Sequence, residues 1–258
     1  MKYNKLLKSH KTYGTNEEDI IKRQGYEKVL ENVVIAPWWS HTIFEKFSTN
    51  IEKVGDKVYN ISGEGFAFSF IELKNIGAPV IVDAVLNLGV TKCKKIIFIG
   101  SAGALNMDIK IGDLAIPTYS YCGVGACRYL NDNLEDDFET KDYPSNELLN
   151  DLIEILEDNN YKYHKVKNYS VDTIFAQFPH INHIKYMGSQ TIEMETSSLF
   201  RCAKIINVEA VAIFCISDNT IENKSLYSGR SLEDKKAKHK ARDEIIPEIV
   251  IKLLKKKN

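Results

Sequence analysis

The sequence predicts an α/β protein with a three-layer α/β sandwich. Short, wholly apolar runs that are typical of buried strands occur at residues 96–99 and 210–216. They alternate with segments such as residues 146–158, whose apolar residues recur at helical spacing. The 258 residues suffice for one large domain with a full core. We therefore predict one domain over residues 32–258, preceded by an N-terminal arm and helix over residues 1–31.

Composition excludes several classes of function. The net charge of −1 provides no bulk attraction for nucleic acid. No apolar run is long enough for a membrane span, and the polar, lysine-rich N-terminus lacks the apolar core of a signal peptide. We expect a cytoplasmic protein with neither a nucleic-acid nor a membrane partner.

The five cysteines are odd in number and lie mostly in apolar segments, as reduced and packed thiols do. Cys122 and Cys127 have no histidine nearby to complete a zinc site, so no metal is expected.

The N-terminal part predicts an arm, helices and strands. Residues 1–16 are polar and suit a flexible or subunit-contacting arm, and Thr15 or Asn16 can cap a helix over about residues 17–30. The next elements are a strand over residues 33–36, a short helix over about 42–47, and paired strands over 57–61 and 67–73 around Gly63 and Gly65.

A helix is then predicted to start at Pro79, because proline suits the first helical position. Gly77 and the exposed amides of that helix start are expected to form an edge for an anion or ligand. Residues 96–99 predict a central parallel strand that delivers the Gly-Ser-Ala-Gly segment 100–103 as a loop at its carboxyl end, where open α/β sheets bind ligands. The alternative is that this segment is only a tight turn.

The second half predicts a turn and strand over residues 112–117 and a long loop over residues 119–145, beside or over a pocket. The acidic residues around 135–139 within that loop are expected to be simply solvated. A helix over residues 146–158 and a strand around 166–171 follow. A C-terminal helix, which Pro247 should start or kink, ends in a lysine tail expected to be a solvated face.

Two carboxylates, Glu193 and Glu195, stand two residues apart where a predicted strand meets a helix. The backbone is still extended there, so both side chains should point to the same side. Paired carboxylates accept hydrogen bonds from several hydroxyl groups and therefore suit a polyhydroxylated ligand. The alternative is that these acids only offset the helix dipole.

Three motifs, taken jointly, resemble the nucleoside phosphorylase and nucleosidase superfamily. They are Gly-Ser-Ala-Gly at residues 100–103, Glu-Met-Glu at 193–195 and Ser-Asp at 217–218. Weaker similarity extends over about residues 32–254, so that residues 32–258 would form a single catalytic domain. The resemblance implies a mixed, partly closed central sheet, a homo-oligomer with active sites at subunit borders, a small-molecule nucleoside as ligand, and no metal or organic cofactor.

The resemblance also implies roles for individual residues. Glu195 would accept hydrogen bonds from the 2′ and 3′ hydroxyls of ribose and stabilise positive charge in the transition state. Met194 would pack against the ribose, and Glu193 would assist or hold the loop. Asp218 matches a general acid that acts at N7 of a purine, and desolvation at the end of residues 210–216 would favour its protonated form. The alternative is that Asp218 is only a cap or turn residue.

Further substrate-binding candidates flank these groups. Ser217 and Asn219 would orient the carboxyl group or the base, and Arg230 lies at the distance where some family members place a supporting arginine. Ile174 and Phe175 fall where the family stacks an aromatic ring on the base, although Phe175 equally suits the core. The glycine-rich segment contributes Ser101, Ala102 and Gly103.

The acceptor side departs from the phosphorylase pattern. Where the family has Gly-Asp-Pro-x-Arg, residues 36–41 are Ala-Pro-Trp-Trp-Ser-His, and Phe98 stands where an arginine is usual. Residues 50–60, where a neighbouring family subunit supplies an arginine, contain only Lys53 and Lys57 as basic residues. Guanidinium groups are the strongest phosphate ligands. The possible substitutes are Ser101, its neighbouring amides, His41 and Arg128.

We predict cleavage of the N-glycosidic bond of a purine or related nucleoside, by phosphorolysis to free base and ribose 1-phosphate. One alternative is hydrolysis, with His41 polarising water or contacting an anion. His41 equally suits a structural position packed by aromatic rings. Another alternative is nucleoside binding without turnover, but the presence of both Glu195 and Asp218 favours catalysis. A dinucleotide-binding oxidoreductase is disfavoured, because no Gly-x-Gly-x-x-Gly follows the first strand.

Overall fold

The structure is a computed structural model that describes residues 1–134 and 137–256. Its strands are β1 (Asn32–Pro37), β2 (Asn50–Gly55), β3 (Val58–Gly63), β4 (Phe66–Leu73), β5 (Lys95–Ala104), β6 (Leu114–Gly123), β7 (Lys141–Asp142), β8 (Tyr163–Val171), β9 (Thr191–Glu193) and β10 (Glu209–Asn219). Its α-helices are α1 (Tyr3–Thr12), α2 (Glu17–Gln24), α3 (Ala78–Leu88), α4 (Asn146–Asp158), α5 (Ile181–Tyr186), α6 (Thr196–Ile205), α7 (Leu232–Lys240) and α8 (Ile246–Lys255). Short 3-10 helices span His41–Phe44, Ala126–Leu130, Phe178–His180 and Thr220–Glu222, and Ala241–Ile245 forms a π-helical turn.

The strands form a single mixed sheet, one part of which closes on itself. Strand β1 lies between β4 and β5 and is parallel to both, and β3 and β2 extend the open edge in antiparallel pairs. Strand β5 pairs with β10 in parallel and with β9 antiparallel, and β8 and β6 close the ring between β9 and β10. The mixed, partly closed sheet implied by the family resemblance is thus confirmed.

Helices cover both faces of the sheet and produce the three predicted layers. In β5, Ile96 and Phe98 face the core that contains α3 and α6, while Ile97 and Ile99 face the core that contains α4 and α8. All four side chains are at most 1% exposed. A parallel strand buried on both faces must be apolar at every position, which explains the uninterrupted run.

The N-terminal prediction needs correction. Residues 3–12 form helix α1 and are not flexible chain, since the hydroxyl of Tyr3 donates to the carbonyl of Leu86 at 2.7 Å, and the subunit-contacting role stays a prediction. Asn16 caps α2 in a capping box with Asp19, as predicted, but the helix ends early because Gly25 adopts a left-handed conformation. The division between residues 1–31 and 32–258 stays a prediction.

The loop predicted over residues 119–145 is largely structured, since β6 continues to Gly123 and a 3-10 helix and β7 follow. The expected solvated acidic patch is also only partly correct. Residues 135 and 136 lie outside the described residues, but Asp137 is paired with Arg201, and Glu139 accepts a hydrogen bond of 3.0 Å from the hydroxyl of Tyr169.

Strand β2 and helix α7 were not predicted, for a shared physical reason. Strand β2 is a short edge strand whose two apolar residues, Ile51 and Val54, do not alternate with polar ones, and α7 is mostly charged, so neither segment has a regular apolar period. Near the C-terminus, the π-helical turn Ala241–Ile245 immediately precedes α8, whose first turn contains Pro247. The predicted irregularity at this proline is therefore present.

Among the described residues, no helix is long and apolar enough to cross a membrane. All five cysteines are free and buried.

Candidate active site

A cavity of about 300 Å³ opens where the carboxyl ends of β5 and β10 meet the β9–α6 junction. The following residues line it: Pro37, Trp38, Trp39, Ile76, Ser101, Gly103, Val171, Ile174, Gln177, Ile192, Glu193, Met194, Glu195, Ser217, Asp218, Leu226, Lys238 and Arg242. Its volume is at the lower end of the range for small-molecule sites. The three motifs singled out in the sequence therefore meet in one place.

The glycine-rich segment was predicted to be a loop, but it forms the last part of β5. Gly103 pairs with Asp218 of β10 on one side and with Ile192 of β9 on the other. A Cβ atom at Gly103 would lie 2.8 Å from Oδ2 of Asp218 and 3.2 Å from Cγ2 of Ile192. Glycine therefore lets strand and carboxyl group approach each other.

Ser101 and Gly103 line the cavity, but the side chain of Ala102 points into the core with Ile96 and Phe98. Its carbonyl oxygen accepts a hydrogen bond of 3.4 Å from the hydroxyl of Ser217. The predicted contact between Ala102 and substrate is therefore corrected to a backbone contact with Ser217.

Both oxygens of the Glu193 carboxylate are bound by protein donors. Oε1 accepts from Asn168 Nδ2 at 2.7 Å and Ser170 Oγ at 2.5 Å. Oε2 accepts from the amide of Glu195 at 2.8 Å, and from the amide and hydroxyl of Thr196 at 2.8 and 2.7 Å. The carboxylate is saturated, which favours the loop-holding role over direct contact with a sugar.

The Glu195 carboxylate has fewer partners than that of Glu193. Oε1 accepts from the amide of Gly77 at 2.6 Å and Oε2 from the amide of Met194 at 3.3 Å. Burial, and then the charge of Glu193, raise the pKa of Glu195. Glu195 therefore keeps acceptor capacity for ligand hydroxyls. The amide of Gly77, predicted to face a ligand, instead positions this carboxylate.

Asp218 lies on β10 just after an irregularity in its pairing with β5, between Ile216 and Asp218. Such an irregularity re-aims a side chain, here into the cavity. Burial raises the pKa of the Asp218 carboxyl group, while a 2.6 Å hydrogen bond from Ser217 Oγ and the charges of Arg230 and Lys238 oppose that shift. The net direction favours the protonated acid.

Two neighbours of Asp218 act away from the cavity. Asn219 is fully buried, donates to the carbonyls of Asn106 and Ile109 at 2.9 Å, and caps the 3-10 helix Thr220–Glu222. These bonds give Asn219 a structural role, and its predicted role in orienting the carboxyl group or the base stays a prediction. Arg230 donates to the carbonyl of Ser217 at 3.2 Å and to that of Leu226, and its charge opposes the rise in the pKa of Asp218.

At the end expected to hold the base, Ile174 lines the cavity with Val171 and Gln177. Phe175 is 91% exposed, and it is absent from the described residues that line the cavity. The core alternative for Phe175 is therefore wrong, and its contact with the base stays a prediction.

His41 also lies outside the set of described cavity-lining residues, as does Arg128. The Nδ1 atom of His41 lies 2.6 Å from Oε1 of Glu72, and its ring stacks on Tyr59 at 3.7 Å. Burial raises the pKa of Glu72, but hydrogen bonds from His41 and Lys57 outweigh it and bring that pKa to about 2. His41 therefore lies between Glu72 and the ring of Tyr59, which fits the alternative of a position packed by an aromatic ring, and its acceptor-side role stays a prediction.

Lys238 and Arg242 line the cavity, although the sequence patterns did not identify them as site residues. The signal available was their spacing, since residues four apart share one face of a helix. Because α7 was not predicted, this spacing could not be assigned to one face of a helix. Trp38, also on the cavity wall, has a φ of 60° and donates its indole N–H to the carbonyl of Lys74 at 2.8 Å.

The fold is an α/β sandwich with a mixed, partly closed sheet, and its cavity presents the carboxyl groups of Glu195 and Asp218. The chain belongs to the phosphorylase superfamily, whose family model matches residues 37–254. It is 25% identical over 189 residues to a DeoD-type purine nucleoside phosphorylase of Shewanella loihica, a match that covers 69% of this chain and 75% of the relative. A DeoD-type purine nucleoside phosphorylase of Streptococcus gordonii is 27% identical over 132 residues, covering 50% and 53% of the two chains.

Solved structures show the same fold. The uridine phosphorylase of Vibrio fischeri matches with a TM-score of 0.74 and 21% identity, over 88% of this chain and 92% of that one. The 5′-methylthioadenosine/S-adenosyl homocysteine nucleosidase of Campylobacter jejuni matches with a TM-score of 0.71 and 16% identity, over 88% and 100%. Proteins with this fold thus include a uridine phosphorylase and a nucleosidase, and the two sequence relatives are named as purine nucleoside phosphorylases.

Proposed function

We propose that this protein cleaves the N-glycosidic bond of a purine or related nucleoside, with phosphate as the acceptor. The observation that carries the proposal is the presence of Glu195 and Asp218 on the wall of one cavity. Their carboxyl groups have different surroundings and therefore suit different tasks. The names of the two sequence relatives support a purine and phosphate as substrates.

In this mechanism the ionised form of Glu195 accepts hydrogen bonds from the ribose hydroxyls and stabilises the sugar as positive charge develops there. Burial raises the pKa of Glu195 to about 8, so this ionised form becomes predominant above that pH. Met194 packs against the ribose, and Glu193 keeps the β9–α6 junction in place through its bonds to Asn168 and Thr196. Asp218 donates its proton to the leaving base. Burial supports this last role, because it favours the protonated carboxyl group.

Hydrolysis is the second candidate reaction, and one observation favours it. Residues 36–41 and position 98 lack the arginines expected of a phosphorylase. However, His41, the side chain proposed to activate water, is bound to Glu72 at 2.6 Å outside the described cavity wall. Phosphorolysis is therefore the preferred proposal.

We also propose that the protein is a cytoplasmic homo-oligomer that needs no metal or organic cofactor. Trp38 on the cavity wall is 67% exposed, and such an exposed aromatic ring suits burial against a second subunit. Sedimentation analysis tests the oligomer, and assays after treatment with a chelator test the independence from metal.

The proposed reaction is tested with a panel of inosine, guanosine, adenosine, methylthioadenosine and uridine, with and without phosphate. Free ribose and ribose 1-phosphate are separated. Base release that requires phosphate and yields ribose 1-phosphate is expected. Release of free ribose without phosphate would establish hydrolysis instead. Binding measured by calorimetry without any product would establish a nucleoside-binding protein.

A further inference from the structure

Helix α7 and the π-helical turn that follows it bring two cationic side chains to the cavity. Lys238 lies on α7 and Arg242 in the π-helical turn, and both line the cavity together with Ser101 and Asp218. Neither residue belongs to the three motifs. Their function therefore has to be inferred from their surroundings.

Arg242 lies beside the segment where the family pattern would place its phosphate-binding arginine. A second groove is lined by Arg242 and Asp243 together with Trp38, Trp39, Ser40 and Thr42. The π-helical turn thus lies next to residues 38–42, and Trp38, Trp39 and Arg242 line both the cavity and this groove. The guanidinium group of Arg242 consequently lies beside residues 36–41, which contain no arginine of their own.

Within residues 1–134 and 137–256, no carboxylate lies within 4.0 Å of the Lys238 ammonium, and no hydrogen-bond acceptor binds it. The side chain is nevertheless partly buried. Burial, and then the charge of Arg230, lower the pKa of Lys238. A positive charge in such surroundings is stabilised when an anion binds beside it.

Arg242 is held in position on one side only. Asp243 accepts from Nε at 2.5 Å and from Nη2 at 2.8 Å, and Nη2 also lies 3.1 Å from Nδ1 of His239. These contacts fix the plane of the guanidinium group and involve Nε and Nη2. The N–H groups of Nη1 have no bond to any described residue and can donate to a ligand.

We propose that Lys238 and Arg242 bind a phosphate group in the cavity and replace the arginines absent from residues 36–41 and position 98. The proposal rests on the proposed function for the phosphate's role in the reaction. The phosphate has two possible sources, inorganic phosphate as the acceptor or the 5′-phosphate of a nucleotide substrate. Both present the same dianion to the two cations.

The test compares the wild type with Lys238→Met and Arg242→Gln. Lys240→Met is the matched control, because Lys240 is exposed on the same helix and lies two residues from Lys238, on another face. Binding of inorganic phosphate is measured by calorimetry without nucleoside. KM values for phosphate and nucleoside are then measured with the nucleoside that is cleaved. The Kd values of inosine and inosine 5′-monophosphate are compared by calorimetry in phosphate-free buffer.

If inorganic phosphate is the ligand, each variant should raise its Kd and KM for phosphate about tenfold or more, because a charge-assisted bond is lost. The KM for nucleoside should change less than about twofold. If the nucleotide is the ligand, the wild type should bind inosine 5′-monophosphate more tightly than inosine, and both variants should lose that difference in Kd. Lys238→Arg should retain most of the binding in either case, since it keeps the charge.

The proposal is overturned if both variants retain the phosphate affinity of the wild type and its discrimination between inosine and inosine 5′-monophosphate. An equal loss in Lys240→Met would also overturn it, since the effect would then be one of net charge. Failure of the proposed function is a different result, namely no cleavage of any nucleoside. Phosphate calorimetry would still decide the role of Lys238 and Arg242 in that case.

Discussion

The carboxylate of Glu195 accepts a 2.6 Å hydrogen bond from the backbone amide of Gly77, 118 positions earlier in the chain. Gly77 has a φ of 102°, a conformation that side-chain-bearing residues rarely adopt, and it immediately precedes α3. The proposed sugar-binding carboxylate is thus oriented by the start of α3, and Glu195 itself is the residue that directly precedes α6, where its side chain makes no capping hydrogen bond. This arrangement makes the position of Glu195 dependent on the packing of the whole layer that contains α3 and α6.

Gly103→Ala should reduce turnover strongly and stability only moderately. The new Cβ atom would lie 2.8 Å from Oδ2 of Asp218, so the carboxyl group must move away from its position beside β5. We expect kcat to fall about 100-fold, the order of a misplaced general acid, and the free energy of unfolding to fall by about 1–3 kcal/mol.

The control for this substitution is Gly125→Ala. Gly125 has a φ of −76°, and the nearest atom to its added Cβ would be at an ordinary 3.6 Å. Turnover and chemical denaturation of both variants are measured together. Full activity in Gly103→Ala would show that the position of Asp218 beside Gly103 does not matter.

Asp218→Asn should stabilise the fold at neutral pH while it reduces activity. Burial raises the pKa of Asp218 in the folded state, so between its unfolded and folded values the folded chain binds more protons than the unfolded chain. The contribution of Asp218 to stability therefore falls as pH rises through that window and is restored below the unfolded pKa. The uncharged amide avoids this loss.

The measurement is the melting temperature of the wild type and Asp218→Asn from pH 4 to pH 8. The variant should be the more stable protein at the upper end, and the difference should shrink toward the lower end. A difference that grows as the pH is lowered would contradict the inferred direction.

His41→Ala should affect stability more than catalysis. Glu72 is 8% exposed and would lose the imidazole at 2.6 Å as a partner, although Lys57 at 2.9 Å would remain. We expect a loss of about 1–3 kcal/mol in the free energy of unfolding and a change of less than about threefold in kcat.

His10→Ala, which removes an exposed histidine from α1, is the control for His41→Ala. Denaturation curves and turnover are compared for the two variants. A large fall in kcat with unchanged stability would restore His41 as an acceptor-side residue.

The parts of the site that the sequence predicted depend on local patterns. Glu193, Glu195 and Asp218 were found because each follows or ends a recognisable strand. The glycine-rich segment was misassigned as a loop, because glycine weakens a strand and its pairing with β9 and β10 involves residues about 90 and 115 positions away.

The remaining differences between the predicted site and the structure arise from contacts between residues far apart in the chain. The partner of His41 is Glu72 on another strand, and nothing near His41 in the sequence indicates it. Lys238 and Arg242 belong to a helical segment that is charged on all sides, so its one inward face has no apolar signature. Phe175 resembles a core residue by type, yet it is 91% exposed.

The most direct test of the central claim is the rate of base release from the preferred nucleoside by the wild type, Asp218→Asn and Asp108→Asn. Asp108 is an exposed aspartate and serves as the control. The wild type and Asp108→Asn should release base at equal rates, and Asp218→Asn should be slower by about 100-fold or more, with nucleoside binding retained. Equal rates in all three proteins would contradict the assignment of Asp218 as the acid that protonates the leaving base.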